Sequence, residues 1–226
     1  MSKELNKRIK TSIILIISFF LMIKYNYLLL IGLIISSVII WIEFNNLISR
    51  MIKSKKIVFK LYGFLFRFLA FVYIFHFSYL TTTHLIFNET NKIIFLYTLS
   101  ICIASDIGGF VFGKFFKGRK LTKISPKKTI SGAIGSIIFS LTLIPIYYEF
   151  DTQFLFLELF IFTLLTSIFC QAGDLFISYL KRKANVKDTG DLLPGHGGFL
   201  DRFDGILFGV PVGLFILLII LPIFNL

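Results

Sequence analysis

The chain has 226 residues, with 24 Lys and Arg against 12 Asp and Glu and a formal net charge of +12. Hydrophobic residues make up 56% and charged residues 16%, and the mean hydropathy is +0.86. A soluble protein carries about 25% charged residues, and disorder needs few apolar residues and many charges, so both an ordinary soluble domain and a disordered chain are excluded. The apolar residues come in long runs without polar alternation, which makes lipid the expected solvent. Cys102 and Cys170 lie inside these runs and read as small buried hydrophobes. Neither a disulfide framework nor a Cys-based zinc site is expected.

The first run, Thr11–Ile23, follows Lys3, Lys7, Arg8 and Lys10. That is the outline of a signal peptide, but no small-residue cleavage site follows. With the second run, Tyr27–Phe44, it predicts a hairpin of two retained helices. Further runs at Ile57–Phe77, Ile93–Phe112, Ile130–Tyr148, Gln153–Leu180 and Gly205–Phe224 each approach or exceed the ~20 residues that span hydrocarbon. The fold expected is therefore an all-α polytopic integral membrane protein of about seven transmembrane helices. Residues 1–56 form its N-terminal hairpin and basic loop, and residues 57–226 a single integral unit. Of the 24 Lys and Arg, all but Lys24, Arg67 and Lys92 fall in segments that share one side if the N-terminus is cytoplasmic. That is the positive-inside pattern, and parity then puts the C-terminus outside.

An ionisable residue inside a span costs at least ~2.5–3.5 kcal/mol and as a rule lines a polar cavity. Glu43 and Glu158 stand near helix ends and read as interfacial, whereas Asp106 and Asp174 lie deeper and read as functional. Arg67, mid-span, could pair with any of them. The run Gln153–Leu180 would be about 42 Å long at ~1.5 Å per residue, against a ~30 Å hydrocarbon core, so its inner end should project into water. There a period of ~3.6 residues aligns Asp174, Ser178 and Lys181 on one face, with Arg182 alongside. An acid, a hydroxyl and two cations at a membrane surface suit a metal and the phosphates it bridges.

Beyond this helix Lys187 and Asp188 precede a turn in which Gly195, Gly197 and Gly198 can form an anion-binding nest. His196 could donate to a phosphate or be a passive loop residue. Asp201 and Asp204, three residues apart around Arg202 where the last helix begins, suit a hard divalent cation, most simply Mg²⁺. A second phosphate site is expected at Ser125-Pro126-Lys127-Lys128-Thr129, which precedes Gly132 and Gly135 at a helix start. Asp106, Gly109, Gly113 and Lys114 recur at helical spacing, with the two glycines as a close-packing face. His76 and His84 have no carboxylate cluster and read as interface residues.

These residues carry a resemblance. Ser178-Tyr179-Leu180-Lys181-Arg182, four residues, Lys187-Asp188, then Leu193-Pro194-Gly195-His196-Gly197-Gly198-Phe199-Leu200-Asp201-Arg202-Phe203-Asp204 is similar to the signature of the phosphatidate cytidylyltransferases, or CDP-diacylglycerol synthases. Trp41-Ile42-Glu43-Phe44, Asp106-Ile107-Gly108-Gly109-Phe110 with Gly113-Lys114, Ile124-Ser125-Pro126-Lys127-Lys128-Thr129 and Gln171-Ala172-Gly173-Asp174 resemble further elements of that family. The chain departs from the pattern in a shorter stretch between Phe44 and Asp106, and in Gly109 and Lys114, where Ala and Arg are often found.

The resemblance implies a nucleotidyltransferase of phospholipid biosynthesis that joins CTP to phosphatidate, giving CDP-diacylglycerol and pyrophosphate. It implies Mg²⁺, one ion or two, on Asp174 and Asp201 with Ser178 and Asp204 close by. Lys181, Arg182 and Lys187 would serve phosphates, and Lys127, Lys128, Arg202, Asp106, His196 and the glycines 195, 197 and 198 complete the substrate set. The partners expected are CTP, phosphatidate and membrane lipids, with a homodimer open and no nucleic acid. The location is a bacterial-type inner membrane with the site facing the cytoplasm. Two rivals remain: a CTP-dependent lipid kinase, which would transfer the γ-phosphate, and an ion-coupled transporter, which would need acids near the midplane and inverted repeats.

Overall fold

The computed structural model describes residues 3–52, 57–86, 89–150, 155–195 and 197–224. Gln153 and His196, both named above, lie outside them, as do Lys53, Lys55 and Lys56 of the basic loop. Among the described residues the secondary structure is helical, with two isolated bridges, Lys120 to Thr129 and Leu193 to Gly197. The helices are α1 Lys3–Lys24, α2 Asn26–Met51, α3 Ile57–Ile86, α4 Glu89–Phe116, α5 Ile130–Leu141, α6 Ile144–Phe150, α7 Phe156–Lys183, α8 Leu200–Phe203 and α9 Ile206–Phe224. A helix thus forms in each of the seven runs.

Among the described residues five stretches are long and apolar enough to cross a membrane: Asn26–Met51, Ile57–Ile86, Asn91–Phe116, Ile130–Glu149 and Phe156–Lys183. Helices suit this solvent because each backbone N–H and C=O is satisfied within its own segment. Their outward faces are apolar. On α3, Tyr62, Phe64, Phe68 and Phe75 are all exposed, a surface that water would disfavour and acyl chains accept. The chain is an all-α polytopic membrane protein.

The run at Ile130–Tyr148 forms two helices, and its break follows from Pro145. Proline has no N–H for the Leu141 carbonyl and its ring crowds the preceding turn. The chain instead closes a tighter turn, Leu143 N–H to Ser140 O at 3.1 Å, and restarts with Pro145 in the first turn of α6, where a missing N–H costs little.

The residues cluster into two compact units, Met1–Glu89 with Leu180–Phe203, and Thr90–Tyr179 with Asp204–Leu226. In the first, α2 packs along α3 through a Ser37–Ser78 hydroxyl bond of 2.6 Å and an edge-on Trp41–Phe71 pair. Arg67 meets a hydroxyl: its Nη2 donates to Ser49 Oγ at 2.9 Å.

In the second unit α4 and α5 approach through glycine. A Cβ added at Gly108 would lie 2.6 Å from the Gly135 carbonyl oxygen, and one at Gly132 would lie 2.8 Å from that of Gly109. This close approach lets Ser136 Oγ donate to Ser105 O at 2.7 Å across the helix pair. Ser167 Oγ donates to Ser105 Oγ at 3.1 Å, tying α7 to the same hydroxyl cluster. Small residues and interhelical hydroxyl bonds are the means by which helices associate where the hydrophobic effect offers no preference. Both cysteines are buried here with free thiols, as expected.

Because the obstruction at Gly108 is backbone, Gly108→Ala should destabilise the protein by about 1–3 kcal/mol through overpacking. A lowered thermal midpoint in detergent is the expected reading; an unchanged one would contradict the close approach.

Candidate functional site

The first unit holds the C-terminal end of α7 and the loop that follows. The helix stops because Asn185 takes a left-handed conformation, φ 56°. Val186 N–H bonds Lys181 O at 3.0 Å and Asn185 N–H bonds Arg182 O at 3.1 Å, the paired bonds of a Schellman ending. This fixes Lys181 in the last turn, where a cation also complements the helix dipole.

Lys181 Nζ then reaches Asp201 Oδ1 at 2.6 Å, with the two side chains only 13% and 8% exposed. The other oxygen, Oδ2, accepts Thr189 N–H at 2.8 Å and Gly198 N–H at 3.0 Å, and lies 3.1 Å from Thr189 Oγ1. Asp201 therefore closes the loop from Thr189 to Gly198 around itself and anchors it to α7.

A second carboxylate enters this loop from α2. Glu43, 6% exposed, accepts Phe199 N–H at 2.9 Å on Oε1. Its Oε2 accepts Leu200 N–H at 2.9 Å and the Thr189 hydroxyl at 2.6 Å. It caps α8 and is no interfacial residue, contrary to the expectation from its position near a helix end. Glu158 is likewise buried, 3% exposed, and accepts Leu155 N–H at 2.8 Å at the start of α7.

The glycines of the turn serve this arrangement. Gly195 and Gly197 have φ of 80° and 81°, which side-chain-bearing residues rarely adopt. A Cβ on Gly198 would stand 2.6 Å from Glu43 Oε2, and one on Gly190 2.7 Å from Glu43 Oε1. The turn is an anion nest in which Glu43 and Asp201 are themselves anions held by backbone N–H groups. His196 lies outside the described residues, and Arg182, Lys187 and Arg202 are exposed.

The second unit holds Asp174. Ser178 Oγ donates to its Oδ1 at 3.3 Å, as the one-face spacing predicts, and Lys128 Nζ forms an ion pair with its Oδ2. These side chains are 27% and 26% exposed for Lys128 and Asp174, so the pair is open to solvent. Lys128 is aimed by its loop: Leu121 N–H bonds Lys128 O at 2.8 Å and Lys128 N–H bonds Ser125 O at 3.0 Å. The next residue, Thr129, caps α5 by accepting Gly132 N–H at 3.1 Å, the local reason for a helix start here. Lys127 is exposed on the same loop, as are Lys117, Arg119, Lys120 and Lys123, and Lys114 is exposed in the last turn of α4.

Asp204 belongs to this unit and is 9% exposed; its Oδ1 accepts Gly205 N–H at 2.9 Å. Gly173 admits it, since a Cβ there would lie 2.6 Å from Asp204 O. Asp204 backbone thus packs on α7 one residue before Asp174. Asp106 is exposed on α4. Among the described residues no group of three or more His, Cys, Asp or Glu side chains is placed to hold one metal ion.

A model of the Cytidylyltransferase family matches residues 1–220. The chain belongs to that family. A phosphatidate cytidylyltransferase of Rickettsia typhi is 43% identical over 136 residues, 55% of this chain and 58% of that protein. Proteins of the same name from Helicobacter pylori J99 and Bacillus subtilis 168 are 36% identical over 140 residues and 42% identical over 123 residues. These cover 62% and 54% of this chain, and 52% and 46% of the relatives. The chain thus spans about half the length of the curated relatives it matches.

Removing the ammonium from the Lys181–Asp201 pair leaves a carboxylate that is almost buried, a change that typically costs ~3–5 kcal/mol. Lys181→Met should lower the thermal midpoint accordingly, and a midpoint equal to that of the wild type would contradict the pairing.

Proposed function

We propose that the chain is a phosphatidate cytidylyltransferase, an enzyme that converts CTP and phosphatidate into CDP-diacylglycerol and pyrophosphate. The observation that carries this reading is the family match over residues 1–220; within each unit an acid meets a lysine, Asp201 with Lys181 in the first and Asp174 with Lys128 in the second. A lipid-phosphate oxygen attacks the α-phosphorus of CTP. The new P–O bond forms as the bond from the α-phosphorus to the bridging oxygen breaks, and pyrophosphate departs with that electron pair. The nucleophile is the substrate itself, so no side chain forms a covalent intermediate. The protein's part is positioning and electrostatic stabilisation.

In this reading Ser178 donates a hydrogen bond to a phosphate oxygen, and Lys181, Arg182, Lys187 and Arg202 neutralise phosphate charge. Lys127 and Lys128 do the same from the 117–129 loop. Gly195, Gly197, His196 and Asp106 complete the set of residues assigned to the substrates. The Gly198 N–H is taken by Asp201.

The residues fit a divalent cation at Asp174. That carboxylate is partly open, and the ammonium of Lys128 already occupies its Oδ2, which is the behaviour of an oxygen ligand for a positive ion. Asp174, with Asp204 in the same unit, would hold Mg²⁺. Asp201 already has Lys181 on one oxygen and the loop amides on the other, so its assigned part is to hold the loop. Bound Mg²⁺ would neutralise phosphate charge and polarise the α-phosphorus.

The distribution of Lys and Arg supports a cytoplasmic N-terminus and a site on the cytoplasmic face of a bacterial inner membrane. There, water-soluble CTP meets a phosphate whose acyl chains stay in lipid.

Purified protein in detergent with Mg²⁺, phosphatidate and cytidine-labelled CTP should move label into the organic phase. Asp174→Asn should reduce this by ~10²-fold or more, the scale of losing one preorganised charged contact. If cytidine stays aqueous while γ-labelled CTP phosphorylates a lipid alcohol, the kinase reading replaces this one.

A further inference from the structure

The proposed reaction gives Glu43 no part, yet it is among the most completely hydrogen-bonded acids described. It sits on α2, far in sequence from the signature loop, with Phe199 N–H, Leu200 N–H and the Thr189 hydroxyl on its two oxygens. We propose that Glu43 is a positioning residue for cytidylyl transfer, acting through Thr189 on Asp201 and so on Lys181. The assignment rests on the reaction proposed above.

The coupling is chemical. Thr189 has one hydroxyl hydrogen and two carboxylate oxygens in reach, Glu43 Oε2 at 2.6 Å and Asp201 Oδ2 at 3.1 Å. The shorter bond takes the hydrogen, so Thr189 gives its O–H to Glu43 and its N–H to Asp201 (2.8 Å). Residues 198 to 200 are divided in the same way: Gly198 N–H serves Asp201, while Phe199 and Leu200 N–H serve Glu43. Two carboxylates thus share one backbone segment from both sides. Moving one moves the other, and with it the ammonium of Lys181 held at 2.6 Å.

The glycines close the case for a tailored fit. Side chains at 190 or 198 would meet Glu43 itself, so these positions are small because a carboxylate from another helix must enter. An acid that only anchored α2 would not need to reach the turn that carries Asp201.

The consequence concerns turnover more than binding. A displaced ammonium near a reacting phosphate loses most where charge develops, and a shift of ~1 Å can cost ~10²-fold in rate. Glu43→Gln keeps the shape but presents an amide NH₂ to one of the donors. Measured per folded molecule, its kcat should fall ~10–100-fold with KM for CTP changed less than ~3-fold. Trypsin cleavage after the exposed Lys187 should accelerate at least ~10-fold, because the latched segment opens locally. Thr189→Val in the Glu43→Gln background should add little, since both act through one bond.

Should Glu43→Gln fail to fold, Thr189→Val carries the same test alone, and Thr189→Ser should restore most of what it loses. Cleavage at the wild-type rate in Glu43→Gln or Thr189→Val overturns the latch. Normal kcat per folded molecule, despite faster cleavage, overturns the positioning role. The cleavage arm needs no turnover, so wild-type protein that transfers no cytidylyl group defeats the proposed reaction and leaves the latch to be decided by proteolysis.

Discussion

The constraint that organises the first unit is that a carboxylate out of water must be fully hydrogen-bonded. Asp201 is 8% exposed as a side chain, and an isolated charge at such a place would be prohibitively unstable. Its solution is Lys181 on one oxygen and loop amides on the other. Glu43 meets the same requirement with the neighbouring amides. The loop's shape follows from these demands: a helix ended by Asn185, two glycines at positive φ, and two more with no room for a Cβ. What looks like a flexible glycine-rich turn is a segment tightly specified by two anions.

The second unit answers a different demand. Asp174 keeps a solvent-open position and pairs with Lys128, which arrives on a loop crowded with cations. A pair of this kind contributes little to stability; under the proposed function it is a carboxylate and a lysine that exchange partners when a cation and phosphates arrive. Rigid support comes from beneath it. The glycine contacts between α4 and α5 and the serine cluster reaching α7 hold the helices that carry both partners.

Much of this was legible in the sequence, and for physical reasons. Lipid demands long apolar helices, so all seven runs became helical. Helical spacing put Ser178 on Asp174, and Gly109 and Gly113 on a packing face. Other features needed three dimensions. Pro145 inside a run is a known helix breaker, yet whether it kinks or divides a helix depends on the turn that replaces the lost bond. Glu43 read as interfacial because spacing along α2 cannot show a loop more than 140 residues away. A cue did exist, since it is an acid at the end of an apolar run with no cation at the three- or four-residue spacing that would pair with it along the helix. Thr189 gave no such cue, because a threonine in a loop ordinarily meets water. Lys128 for Asp174, and a serine rather than an acid for Arg67, were partnerships that only the folded chain could choose.

The claim on which the account turns is that the signature loop is built around two carboxylates of the chain itself. Amide hydrogen exchange of the wild-type protein in detergent, read residue by residue, tests it without any substrate. Thr189, Gly198, Phe199 and Leu200 should exchange slowly, each donating to Asp201 or Glu43, while the exposed Lys187 and Asp191 exchange quickly. Fast exchange at all four would contradict the arrangement and return the glycines to an open nest awaiting an external anion.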